Sequence, residues 1–196
     1  MSPDSSKRDK AWVDGFAVSF FGVVGTCFVS IPGFLYNTLW MYMNSRIQQE
    51  SSVACVSYTD PVMEVSQLTI GVKGKVCAYF NSRGKKVDFT LNATSEDLQA
   101  TMLNHQYEDI VVIGYGDNEV WEARDTDVST DMVDGWGIPK KPGVCVRIGC
   151  CALAGESLAE SVAETTIEPK RSITCADAFK QLWLKRGGLE NLANIQ

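Results

Sequence analysis

The sequence holds one histidine, His105. A nucleophilic Ser or Cys needs a neighbouring base, and a lone imidazole among seven cysteines offers only accidental pairings. His105 has a simpler place at the end of a short helix. Neither the GxSxG elbow nor the lysine-bearing phosphate loop GxxxxGK[ST] occurs. No catalytic residue is therefore expected.

Clustered basic residues are also lacking. The formal net charge is −6, and no stripe of Lys and Arg with interleaved aromatics appears. Phosphate backbones are bound by releasing counterions to such clusters, so nucleic acid is excluded as a partner. The cysteines are too few and too irregular for a disulfide-dense miniprotein, and Cys145, Cys150 and Cys151 lack the paired knuckles of a zinc site. Adjacent strand residues such as Cys150 and Cys151 point to opposite faces and suit packing better than redox chemistry.

Charge is missing altogether between Asp14 and Arg46, over a run rich in Phe, Val, Leu, Ile, Met, Gly and Ala. As helix, that run measures about 46 Å against a hydrocarbon core of about 30 Å. Trp12 at one limit and Trp40 with Tyr42 at the other sit where interface anchors belong. The run exceeds the apolar region of a cleavable signal peptide, and Pro32 interrupts its one small-residue stretch. The expectation is an uncleaved, single-pass signal-anchor in the lipid bilayer, kinked at Pro32-Gly33.

Gly15, Ser19, Gly22, Thr26, Ser30, Gly33 and Asn37 recur at spacings of three or four. On a helix they form one face, and small residues let helices approach closely. This stripe predicts docking against transmembrane helices of other subunits. Lys7, Arg8 and Lys10 before the run, against Arg46 after it, place the N-terminus on the cytoplasmic, matrix or stromal side. An organellar inner membrane is favoured, with the ER or plasma membrane as alternatives. The Asn92-Ala93-Thr94 sequon would matter only in the ER.

Beyond the run the pattern turns strand-like. Val72, Gly74, Val76, Ala78 and Phe80 alternate with polar residues, as do Val87, Phe89 and Leu91, and Asn81-Ser82-Arg83-Gly84 between them reads as a hairpin. A short helix should follow, capped by Thr94 or Ser95 and carrying Leu98, Thr101, Met102 and His105 on one face. Ile110 to Tyr115 reads as a buried strand turning at Gly116-Asp117-Asn118 into Glu119 to Ala123. Residues 125 to 143 read as a long surface loop, Val144 to Cys150 as a strand, and Gly155 to Arg171 as a polar tether. Thr174 can cap a terminal helix through Cys175, Phe179, Leu182, Trp183 and Arg186.

Two ligand motifs fall short. Asp125, Asp127, Ser129 and Asp131 follow the start of a calcium loop, but Thr130 takes the glycine position and Trp136 stands where the bidentate Glu belongs. Ile113-Gly114-Tyr115-Gly116 suggests a dinucleotide turn yet lacks the third glycine and the following helix. No metal or cofactor is expected.

The sequence thus predicts an α+β chain: a polar tail (1–14), a transmembrane helix (15–45), a small β-rich extramembrane domain (46–155) with two short helices in all, and a tether with the C-terminal helix (156–196). The function this implies is a non-catalytic accessory subunit of an integral-membrane complex, such as an electron-transport assembly of the mitochondrial inner membrane. A freestanding binding module and a membrane-tethered enzyme are the alternatives.

Overall fold

In the computed structural model, residues 31–59, 71–117, 119–148 and 157–168 are described. The central feature is a parallel five-stranded sheet. Its strands are β1 (Ser51–Ser57), β2 (Lys86–Leu91), β3 (Asp109–Ile113), β6 (Lys141–Ile148) and β7 (Ala163–Ile167), in the order β2-β1-β3-β6-β7. A separate antiparallel hairpin of β4 (Val120–Glu122) and β5 (Asp127–Ser129) projects from the connection between β3 and β6. The helices are α1 (31–45), α2 (Val72–Asn81), α3 (Ser95–Leu103), α4 (Thr130–Gly135) and α5 (Leu158–Val162).

Parallel strands require crossovers that cover the sheet on both faces, and the apolar residues divide accordingly. On one face Val53, Cys55, Val111, Ile113, Val146 and Ile148 pack under Val72, Val76 and Phe80 of α2. On the other, Val56, Ile110, Val112 and Cys145 meet Leu98 and Met102 of α3, Val133 of α4, and Leu158 and Val162 of α5. The architecture is a doubly wound α/β sheet, not the expected α+β domain.

The largest local correction concerns residues 72–80, read as the first arm of a hairpin and found as helix α2. Val72, Val76 and Phe80 satisfy period two and also the four-residue step of a helix, and buried Cys77 fits only the latter. Gly71, at φ 73°, precedes the helix, and Gly84, at φ 74°, turns the chain into β2. The helix expected after Thr94 is α3, with a capping box: Thr94 accepts from the Asp97 amide while the Asp97 carboxylate accepts from the Thr94 amide. The expected loop 125–143 contains β5, α4 and the start of β6, and the expected tether contains α5 and β7.

The membrane anchor is also corrected. Among the described residues no helix is long and apolar enough to cross a membrane, which removes the support for a single-pass protein of an organellar inner membrane. Residues 15–30 of the expected span, with Trp12, Gly15, Ser19, Gly22, Thr26 and Ser30, lie outside the described residues. The rest is α1, whose polar side chains bind its own domain. Asn37 Oδ1 accepts from the Gly74 amide at 2.6 Å. The Asn44 amide donates to Val87 O at 2.8 Å and accepts from Val87 N at 2.9 Å, filling both open backbone valences of edge strand β2 there.

Gly33 and Asn37 are buried, and a Cβ on Gly74 would strike Tyr36, so α1 and α2 approach at their small residues. Trp40 is half-buried with its ring 6.2 Å from that of Tyr36, while Tyr42 is exposed under the Arg46 guanidinium. The apolar side chains Ile31, Phe34, Leu35 and Leu39 face outward.

Candidate functional site

In a doubly wound sheet the connections leave in opposite directions at one point, and there the loops at the carboxyl ends of the strands diverge to open a crevice. Here that point lies between β1 and β3. β1 pairs with β2 on one side and β3 on the other, and the chain then proceeds outward through β6 and β7. Tyr58 and Thr59 follow β1, and Gly114, Tyr115, Gly116 and Asp117 follow β3.

The turn after β3 is tightly constrained. Gly114 N donates to Ile148 O at 3.1 Å, and Tyr58 N donates to Ile113 O at 3.1 Å, fastening the ends of three adjacent strands. A Cβ on Gly114 would lie 2.5 Å from Tyr58 O and 2.7 Å from Trp121 Nε1, so only hydrogen fits. Gly116 adopts φ 128° and bridges to Trp121. Asp117 Oδ1 then accepts from the amides of Glu119 and Val120, both at 2.9 Å, folding the chain into β4. The dinucleotide-like Ile113-Gly114-Tyr115-Gly116 thus occupies the switch point, but a hairpin rather than a helix follows it.

Beneath this turn lies Arg147, whose residue exposure is only 1%. It precedes Ile148 on β6 and shares the face of Cys145 and Trp121. Its Nη2 donates to the carbonyls of Asp117 at 3.3 Å and Val120 at 3.2 Å. Its Nε and Nη1 are buried without a hydrogen-bond partner, as is Trp121 Nε1. Glu168, just past β7, carries the charge that interacts with Arg147, but its Oε2 accepts from Ser157 Oγ at 2.5 Å. Burial pushes the Glu168 carboxyl above its ordinary range, against the opposing pull of the Ser157 hydrogen bond and the Arg147 charge.

The amino-terminal edge of the sheet is polar in a different way. Lys85 Nζ donates to Asp109 Oδ2 at 2.5 Å and to Glu108 Oε2 at 3.0 Å. Asp109 Oδ1 also accepts from Val144 N at 2.7 Å. Lys141 Nζ donates to Asn104 O at 2.7 Å, and Asp88 accepts from Ser51 Oγ and Tyr107 Oη. These groups satisfy one another and tie strand starts together. His105 is exposed near this edge, far along the strands from the switch point.

The calcium-like acids are separated by other duties. Asp125 is fully exposed and accepts from Ser95 N at 2.8 Å and Ser95 Oγ at 2.6 Å, hydrogen bonds that hold its carboxyl below the ordinary range. Ser129 caps α4 by accepting from Met132 N. Among the described residues no group of acids, histidines and cysteines could hold a metal ion. Cys150, Cys151 and Cys175 lie outside the described residues. Buried Cys55 and Cys77 have raised thiol pKa values through burial, Cys77 to about 12, which makes them poor nucleophiles.

Arg147 and Glu168 were not distinguished by the sequence. Arg147 sits in a β-branched strand pattern as an ordinary polar partner, and only the lack of acceptors for its Nε and Nη1 sets it apart. No protein-family model and no curated protein sequence matches this chain.

Proposed function

We propose that the chain is a non-catalytic binding domain for a small ligand, received at the carboxyl rim of the sheet between β1 and β3. The observation that carries this reading is the reversal of strand order there, which supplies a divergent pair of loops. Tyr58 and Tyr115 stand at that rim, half-buried and partly exposed respectively, and give it aromatic surface suited to a small organic molecule.

A thermal-shift screen of a broad metabolite panel against the full chain tests the reading. Ligands should raise the melting temperature of the wild type and lose most of that effect in Tyr115→Ala, while His105→Ala at the opposite edge should behave as the wild type. Ligands that respond equally to both substitutions, or no ligand at all, would remove the basis for the reading.

One observation favours a second role. Ile31, Phe34, Leu35, Leu39 and Tyr42 form an exposed apolar row on α1 at helical spacing. That row would suit an accessory subunit held by a partner protein. Here Leu35→Glu combined with Leu39→Glu should abolish co-purification of a stable partner, and unchanged recovery would exclude this face.

A further inference from the structure

We infer that the ligand site at the carboxyl rim is an oxyanion site, with Arg147 as the receptor for a phosphate or carboxylate group. This rests on the reading of that rim as a ligand site and specifies what the ligand must carry.

The argument begins with an imbalance. Three buried nitrogen donors lack acceptors at this end of the sheet: Arg147 Nε, Arg147 Nη1 and Trp121 Nε1. All three come from the same face and flank the same turn. The Arg147 guanidinium reaches Val120 O, next to Trp121, and the indole nitrogen lies against Gly114, whose amide bonds to Ile148 beside Arg147. Buried N–H groups are almost always paired, and a buried cation without a counter-charge is among the costliest arrangements in a fold. What the described residues do not supply here is an acceptor for these three nitrogens, and a guanidinium favours a negatively charged one.

One described candidate is otherwise engaged. Glu168 is a carboxylate whose charge interacts with Arg147, yet among the described residues no carboxylate lies within ion-pair distance of the guanidinium. Glu168 is held by Ser157, the residue that also caps α5 through its bond to the Ala159 amide. Arg147 Nε and Nη1 thus remain as two separately directed, charged donors, each able to take an oxygen of a bound phosphate or carboxylate. Bracing the turn through Asp117 O and Val120 O occupies Nη2 alone, so a purely structural role leaves the rest of the guanidinium unexplained.

Net charge sharpens the test. A chain of formal charge −6 has no general attraction for anions, so saturable anion binding requires a specific site. The full chain is titrated with inorganic phosphate, with acetate as the carboxylate probe, and with chloride at matched ionic strength, following melting temperature and tryptophan fluorescence. Phosphate or acetate should raise the melting temperature saturably where chloride does not, and the stronger of the two identifies the oxyanion class. Arg147→Met keeps the apolar stem and should remain folded while losing the response entirely. Arg147→Lys keeps charge without the planar fork and should bind at least tenfold more weakly.

Equal binding by wild type and Arg147→Met would overturn the assignment, as would no response of the wild type to either anion. If uncharged metabolites still bind in a Tyr115-dependent way, the rim remains a ligand site and only its anion chemistry is lost. If Arg147→Met does not fold, tryptophan fluorescence of Arg147→Lys carries the comparison: affinity equal to the wild type refutes the role of the fork.

Discussion

Asn44 offers the sharpest test of how the N-terminal helix is seated. The residue is 6% exposed and its side chain makes three hydrogen bonds: to Val87 O at 2.8 Å, from Val87 N at 2.9 Å and from Asn81 Nδ2 at 2.9 Å. Asn81 keeps a second acceptor in Lys85 O, so the loss in Asn44→Ala falls mainly on Val87. Both backbone groups of that buried residue would be orphaned, each at about 1 to 3 kcal/mol, less whatever water recovers at an edge strand. The expected cost is about 3 kcal/mol, or roughly 6 to 12 °C in melting temperature for a chain of this size. Urea unfolding followed by far-ultraviolet circular dichroism measures it as a shift in midpoint at constant slope. Thr38→Ala is the control, because that hydroxyl is exposed and bonds only Phe34 O in its own helix, and it should cost about 0.5 kcal/mol or less. A loss below about 1 kcal/mol for Asn44→Ala would refute the seating of α1 on β2, since a helix detached from the sheet could not leave Val87 unsatisfied.

Glu168 supplies a pH test. Its folded carboxyl titrates above the unfolded one through burial, so its contribution to stability is complete below the ordinary glutamate range and is lost as pH rises through the raised value. Glu168→Gln should therefore gain on the wild type in urea stability as pH rises across that window, and a constant difference would contradict the assignment. Lys85→Met leaves the Asp109 carboxylate, 4% exposed, without its cation; after allowance for the partial exposure of Lys85 the loss should be about 2 kcal/mol. Adding Asp109→Asn should restore part of it in a double-mutant cycle, and strict additivity would show the pair uncoupled. Cys55 and Cys77 should resist iodoacetamide at pH 8 in the native chain and react in urea, as read by peptide mass spectrometry; native labelling would contradict their burial.

The parts of the fold legible in the sequence are those where local chemistry and tertiary context agree. Thr94 with Asp97 writes a helix start, and Ile110 to Ile113 is too apolar and β-branched to be anything but a buried strand. Where they diverge, the reading fails. β1 is buried on both faces, so it shows no alternation, and its small residues Ser51, Ser52, Ala54 and Ser57 leave no apolar run to mark it. β7 has polar Glu164, Thr165 and Thr166 because it is an edge, and α5 is only one turn long. The charge-free run misleads for a related reason: its second half keeps its apolar side chains outward, while its few polar ones, Asn37 and Asn44, make the contacts to the domain. Composition cannot reveal that inversion, because it depends on which side of the helix meets Gly74 and Val87.

The candidate site was even less visible, since its signal is an absence of partners. The two edges of the sheet bring this out. At the amino-terminal edge Lys85, Glu108, Asp109, Lys141, Asp88 and Tyr107 satisfy one another, and apart from Asn81 Oδ1 no buried side-chain polar atom among the described residues is orphaned there. At the carboxyl rim the Arg147 guanidinium and the Trp121 indole, on the two sides of one turn, keep donors left over, and the Glu168 carboxylate accepts instead from the residue that caps a helix. A fold shaped only for stability would gain by an apolar residue at 147, because burying a cation with two of its three nitrogens unpartnered is less favourable than burying a methionine. The charge is intelligible if the site is completed by an acceptor that the described residues do not provide, and the carboxyl end of the β1/β3 switch point is where the topology opens a crevice for it.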